Sequence, residues 1–573
     1  MWNSAEMVIR VAHLIQSITQ FNHHRYSVPR NRKLTRASFT PRHRSHAACE
    51  KLPLFLFFLD EQSPFDKVFL DHQTIKQEDQ CDWNQTLKGP IYDVHGEEQG
   101  GVNSRDFYKL YNNELFESLQ KSLQGVKMGG NLTISGLGQA DDVVLCSNNI
   151  HMLYNLFTLT LEYCKKYSVD ICADKTKLLL FTDRIEDRII PLNPIVINDE
   201  QIYFTTEAEH VGVIRSTTGN VPNILNRILS SKKATNATLA CGLARGHRSN
   251  PSACLRVLQL YGIPVLMSGL GSLVLNTTEI TMIHQHHKNT VQGLQKLHHG
   301  TPQSFIFFLA GCLPATATLH LRQFSLFGMI CRLNDDPLRE RAKDVLVTST
   351  QRSNSWFVQI RNLCLQYNLP HPLEFLQEPK TKEIFKKLVR AKVVDYWEGK
   401  LSAEAAPMTS LAYFKPCYMS LTKPHAIWTT ARENPYEVAK AVIQARMLSG
   451  RYRTKLLTSN WLNGQDVYCP APHCNEIESL QHILLDCQAY AITRTNVVKK
   501  WLSVDDPAVA QLTNHALSQP ASYLIQFILD ATALPQTINL LKSRDKNSLG
   551  RLMNLTRTWC YSPHRERQII LNQ

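Results

Sequence analysis

The chain has 573 residues, of which 43% are hydrophobic and 20% charged, a composition that excludes a wholly disordered or collagen-like chain. The length exceeds what one core can fill and predicts about three or four folding units. A formal net charge of +14 favours polyanionic partners, nucleic acid first and an anionic membrane second, while the densest apolar stretches, residues 52–59 and 305–313, fall short of a membrane span.

Residues 1–50 read as a basic, disordered arm. No acidic residue occurs between Met7 and Cys49, and seven Lys/Arg lie between Arg25 and Arg44. An Arg-rich, acid-poor start can be a transit peptide, but Pro29 and Pro41 interrupt any amphipathic helix through its most basic part. Residues 51–220 mix strand-like apolar runs with amphipathic helices, an α+β or α/β pattern. Leu54-Phe55-Leu56-Phe57-Phe58-Leu59 is the signature of a strand buried on both faces, and it ends at Asp60. Gln99-Gly100-Gly101 precedes a helix-like face of Phe107, Leu110, Tyr111 and Leu115; glycines there allow close backbone approach. Two apolar segments then flank Gln139-Ala140-Asp141-Asp142, a hairpin pattern with a carboxylate pair at its tip. Adjacent carboxylates repel, and a hard divalent cation such as Mg²⁺ relieves that repulsion. Residues 156–167 are amphipathic, followed by Asp174-Lys175-Thr176-Lys177 before an apolar strand, and by His210-Val211-Gly212-Val213. Taken singly, a strand-end Asp and an Asp-rich turn are ordinary solvated positions.

Residues 221–345 read as helical, with Ile224, Leu225, Ile228 and Leu229, then Leu239 and Leu243, at helical spacing. Residues 346–455 are helical pieces broken by Pro370, Pro372, Pro416 and Pro424. Residues 456–573 hold a Cys/His cluster and a basic tail with seven Lys/Arg from Lys542 onward. Cys469-x4-Cys474-x7-His482-x4-Cys487 supplies three thiols and one imidazole, a set suited to tetrahedral Zn²⁺ in a structural role, with His473 as a substitute ligand. Buried free cysteines are the ordinary alternative. Few large apolar residues lie between these ligands, so metal is expected to supply much of the local stability. Fifteen cysteines, an odd count spread thinly, predict free or metal-bound thiols and a reducing intracellular compartment, nucleus or cytoplasm.

In this order the segments resemble the reverse transcriptase of non-LTR, LINE-type retrotransposons. Leu59-Asp60…Phe65-Asp66-Lys67-Val68 is similar to the first palm motif, Gln99-Gly100-Gly101 to the second and Ala140-Asp141-Asp142 to the third. Asp174-Lys175-Thr176-Lys177 and Val211-Gly212-Val213 are similar to the fourth and fifth. Residues 261–270 and the Cys-Cys-His-Cys element resemble later stretches of such proteins, so the likeness covers roughly residues 47–490. It implies an α+β right-hand polymerase: a palm at 51–220 with an antiparallel sheet and helices, a helical thumb-like region at 221–345, a connection at 346–455 and a zinc-knuckle-like element within 456–573. It further implies RNA-directed DNA polymerase activity by two-metal nucleotidyl transfer, with Asp60 and Asp141 holding two Mg²⁺ ions and Asp142 supporting them. Phe65 would be the steric gate against a ribose 2′-hydroxyl, Gln99 and Gly100 would contact nucleotide and template, and Lys175, or Lys177, would be the general acid. The partners implied are an RNA template, a DNA primer and deoxynucleotides. Residues 1–50 carry no recognisable fingers, and no endonuclease segment precedes them, so the chain reads as a truncated copy. A catalytically inactive, nucleic-acid-binding remnant of such an element is the alternative.

Overall fold

The computed structural model describes residues 53–62, 112–129 and 132–572, apart from 140–141, 168, 183–194, 198–199, 241–248, 335, 351–352, 354, 432–434, 460–465 and 543–545. The fold is mixed α+β and mostly helical, with a small, predominantly antiparallel sheet. It divides into two compact units. One comprises residues up to Leu225 with Gly269–Asn276 and Gln323–Lys382; the other comprises Asn226–Ser268, Thr277–Arg322 and Glu383–Gln573.

The first unit contains the sheet. Its strands are β1 (Leu54–Gln62), β2 (Gly136–Gln139), β3 (Asp142–Ser147), β4 (Asp170–Ile171), β5 (Lys177–Phe181) and β6 (Phe204–Thr205). They lie in the order β6-β5-β1-β3-β2, with β4 pairing the end of β1. Of these pairings, that of β6 with β5 is parallel and the others are antiparallel. The expected apolar strand is thus central, and its continuous hydrophobic run follows from cover on both faces. On one face Phe55, Phe57 and Leu59 pack with Val143, Leu145 and Leu178 against helices α1 (Asn113–Lys121) and α2 (Ile150–Lys166). On the other, Leu54, Leu56 and Phe58 pack with Val144, Cys146 and Leu179.

Helix α2 covers the 156–167 segment read as amphipathic, and Asn149 caps it, its side-chain oxygen accepting from the His151 N–H at 2.8 Å. The glycines of β2 have a packing reason. A Cβ at Gly138 would collide with the Phe116 ring, and one at Gly136 with Leu119, so α1 can lie directly on this strand.

Strands β7 (Glu207–His210) and β8 (Val213–Ser216) form a hairpin whose Ala208 and Val211 join the second face of the core. The apolar-Gly segment is its two-residue turn. Val211 and Gly212 have φ of 49° and 67°, the left-handed pair that matches strand twist in a tight hairpin. Gly supplies this without strain; Val does not.

The second unit is helical. Gln303–Ala310, the other dense apolar stretch, is a short helix buried all round from Ser304 to Ala310. Among the described residues no single helix is long and apolar enough to cross a membrane. The second unit's helices include α3 (Lys382–Ala405), α4 (Pro435–Leu448) and α5 (Lys546–Leu571). Helix α4 packs along α5, whose Leu552, Met553, Trp559 and Cys560 are in the core. The C-terminal segment read as a basic tail is therefore a core helix. Two of its charges, Arg557 and Arg567, are buried in ion pairs with Glu437 and Glu478. Val221–Ala240 is helical as expected, with Ile224 buried but Leu225 and Leu229 exposed, and Leu243 lies outside the described residues.

Candidate functional site

Two clusters carry candidate chemistry, one in each unit. In the first unit, β1 and β3 are antiparallel with Leu59 opposite Val143 and Asp60 opposite Asp142. β2 and β3 are antiparallel neighbours with Gln139 opposite Asp142. Lys177, the first residue of β5, is paired with Phe58, two residues before Asp60. The fold therefore gathers the end of β1, the end of β2, the start of β3 and the start of β5 at one end of the sheet.

Asp142 is half-buried, on the face that buries Val144 and Cys146. The Lys177 ammonium donates to the Asp174 carbonyl at 2.7 Å. Lys175 is exposed at the crest of the turn before β5. That turn is held by Thr176, whose N–H and hydroxyl both donate to the Cys172 carbonyl, at 3.1 and 2.7 Å. Asp141, Phe65, Gln99 and Gly100 lie outside the described residues.

The second cluster is built from two local motifs. Tyr468 and Ile477 form an antiparallel bridge, and the Cys469 N–H donates to the Glu476 carbonyl at 2.9 Å, closing a knuckle that carries Cys469 and Cys474. His473, with φ of 62°, supplies the left-handed residue this reversal needs. His482–Asp486 is a single helical turn, with the Cys487 N–H donating back to the His482 carbonyl at 2.8 Å. It presents His482 at its start and Cys487 just past its end.

The four side chains converge, with all ligand atoms within 4.8 Å of one another. Cys469 Sγ lies 3.8 Å from Cys487 Sγ, and Cys474 Sγ lies 3.4 Å from His482 Nε2. A tetrahedral zinc ion with Zn–S of about 2.3 Å and Zn–N of about 2.0 Å has S···S edges of about 3.8 Å and S···N edges of about 3.5 Å. These two separations are close to such edges. A disulfide needs sulfurs about 2.05 Å apart, so Cys469 and Cys487 are not bonded to each other.

Burial pushes the Cys469 thiol upward, a backbone hydrogen bond at Ala471 partly offsets it, and the neighbouring thiols add to the rise; burial likewise raises Cys487. Three crowded thiols cannot ionise together without a compensating cation, and a divalent metal supplies one. The group can therefore hold a metal such as zinc. His473 is exposed and stands outside it.

Sequence reasoning missed the residues that support this centre. Arg494 Nη1 donates to the Cys487 carbonyl at 2.6 Å, and Glu478, fully buried, pairs with Arg567. The one available signal was Glu478 itself, a carboxylate midway between ligands Cys474 and His482. No protein-family model matches the chain, and no curated protein is significantly similar to it.

Proposed function

We propose that the chain is an RNA-directed DNA polymerase of the non-LTR retrotransposon type, with the sheet of the first unit as its palm. The observation that carries the reading is the register that sets Asp60 opposite Asp142, the first residue of a strand that Asp141 precedes in sequence. A palm needs carboxylates from two distant chain segments at one end of an antiparallel sheet. In this reading Asp60, Asp141 and Asp142 form an all-oxygen donor set for two Mg²⁺ ions. Bound there, Mg²⁺ would lower the pKa of a primer 3′-hydroxyl and would offset the charge of the triphosphate. Phe65 excludes the ribose 2′-hydroxyl, Gln99 and Gly100 hold nucleotide and template, and Lys175 or Lys177 protonates the leaving pyrophosphate.

A second reading is a nucleic-acid-binding protein without turnover. It is favoured by helix α3, where Lys386, Lys387 and Arg390 are all exposed, and by the metal centre in the same unit. Consecutive turns of such a helix offer cations about 6 Å apart, close to the spacing of phosphates along a single strand.

Primer extension separates the two readings. The full chain is incubated with an RNA template, an annealed DNA primer, deoxynucleotides and Mg²⁺. Extension that stops on chelation supports the polymerase. Salt-sensitive binding of the same duplex without extension supports the second reading. Neither extension nor binding overturns both.

A further inference from the structure

Both halves of the metal centre are tied to one helix. The knuckle half is held through Glu478, whose N–H donates to the Val467 carbonyl at 3.0 Å. Its carboxylate accepts from Arg567 Nε at 2.7 Å and Nη2 at 2.8 Å, and from the Lys455 N–H at 2.6 Å. The other half is held through Leu484, inside the His482–Asp486 turn, whose carbonyl accepts the Trp559 indole N–H at 3.2 Å. Trp559 and Arg567 both belong to α5, about two turns apart. The Glu478–Arg567 pair is buried on both sides, so removing one partner leaves an uncompensated charge in the interior.

We propose that α5 is the scaffold that positions the four ligands, with Arg567 and Trp559 as positioning residues, and that metal occupancy and docking of α5 are reciprocally coupled. The proposal rests on the metal-centre reading. A tetrahedral ion restrains the Cys469–Cys474 knuckle relative to the His482–Cys487 turn; docked α5 restrains the same two segments from outside. Two restraints on one degree of freedom support each other. By linkage, the factor by which a docked helix tightens metal binding equals the factor by which bound metal tightens docking. Loss of metal therefore loosens the C-terminal helix, and damage to the helix anchors weakens metal binding.

The test uses the full chain and zinc alone. Zinc affinity is measured by competition with a chromophoric chelator, and hydrogen exchange of residues 546–571 is followed with and without metal. Wild type is expected to hold one zinc, and its removal to speed exchange in α5 while leaving β1 unchanged. Trp559→Phe keeps an aromatic ring and removes the N–H, and Arg567→Met removes the charge. Each is expected to weaken zinc binding tenfold to a hundredfold, the range typical of groups that orient metal ligands. Arg567→Lys should lose less than Arg567→Met, which a loss of bulk packing would not produce. If Arg567→Met fails to fold, Trp559→Phe alone decides. A wild type that holds zinc, with unchanged affinity in Trp559→Phe and unchanged α5 exchange on chelation, overturns the coupling and leaves the metal centre standing. A wild type that holds no metal overturns both.

Discussion

Asp60 and Asp142 face each other across an antiparallel strand pair, brought together from the two sides of a chain segment that includes α1 and the β2 strand. Asparagine has the size and shape of aspartate and lacks only its charge. Asp60→Asn is therefore expected to leave the thermal transition nearly unchanged and to cut Mg²⁺-dependent primer extension sharply. Metal stabilisation of transition-state charge is worth several kcal/mol, so the loss should be on the order of 10²- to 10³-fold. Extension rates of wild type, Asp60→Asn and Asp142→Asn, beside their melting curves, check this. Extension at the wild-type rate in Asp60→Asn would falsify the palm assignment.

Gly138 is a point of close approach between β2 and α1. Gly138→Val must displace the Phe116 ring or the strand, and overpacking of this kind costs about 1–3 kcal/mol. Chemical denaturation should show a lower midpoint for the transition of the sheet-bearing unit. An unchanged midpoint would mean that α1 does not rest on β2.

Cys487 and His473 should respond to substitution in opposite ways. Cys487→Ser removes one of the four converging side chains that could hold a metal and should weaken zinc binding tenfold or more. His473→Gly should leave zinc stoichiometry unchanged, because this imidazole is exposed and outside the cluster. With φ of 62° at this position, glycine is also the less strained residue, and a gain of up to about 1 kcal/mol in stability is expected. Metal analysis of the two purified variants, with a thermal melt of the second, tests both expectations.

Each unit buries at least one histidine. Burial first, then the charge of Arg215, lowers His210 to about 3; burial first, then His284 and His286, lowers His287 to about 3. Both rings are thus neutral when folded and protonate readily when unfolded, near pH 6.5. Their contribution is complete above pH 6.5 and declines as pH falls toward 3, by about 1.4 kcal/mol per pH unit for each ring. His287, whose ring stacks on Phe307 at 5.6 Å between centroids, can be replaced by Phe with little loss of apolar packing. His287→Phe should flatten the acid limb of the helical unit's stability curve, measured by denaturant melts from pH 7 to 4. A parallel acid limb in the variant would remove His287 as a cause.

The exposed basic face of α3 predicts a charge effect on nucleic acid binding. Replacing Lys386, Lys387 and Arg390 together by Glu should weaken binding of single strands. It should also reduce the salt slope by about 0.7 for each phosphate that the helix no longer neutralises. Binding isotherms at several salt concentrations give the slope directly. A slope equal to that of wild type would place the phosphate-binding cations elsewhere.

Local elements could be read from the amino-acid pattern alone. The apolar run 54–59 reads as a doubly buried strand because both its faces are covered, the segments around residues 139–142 read as a hairpin, and 156–167 reads as a helix from its period. The four ligands Cys469, Cys474, His482 and Cys487 were legible because metal-binding side chains are rare and lie within one short segment. Register and long-range pairing are different. Which strand lies beside β1, and hence that Asp60 faces Asp142, depends on covering both faces of the sheet at once, a condition no local window contains. The same holds for the compact units, each assembled from separated stretches of chain. It holds for Arg567 as well. In the sequence it is one of the cations of a basic tail, but the fold buries it against Glu478, because a core carboxylate at that place needs a bidentate partner more than solvent needs another cation.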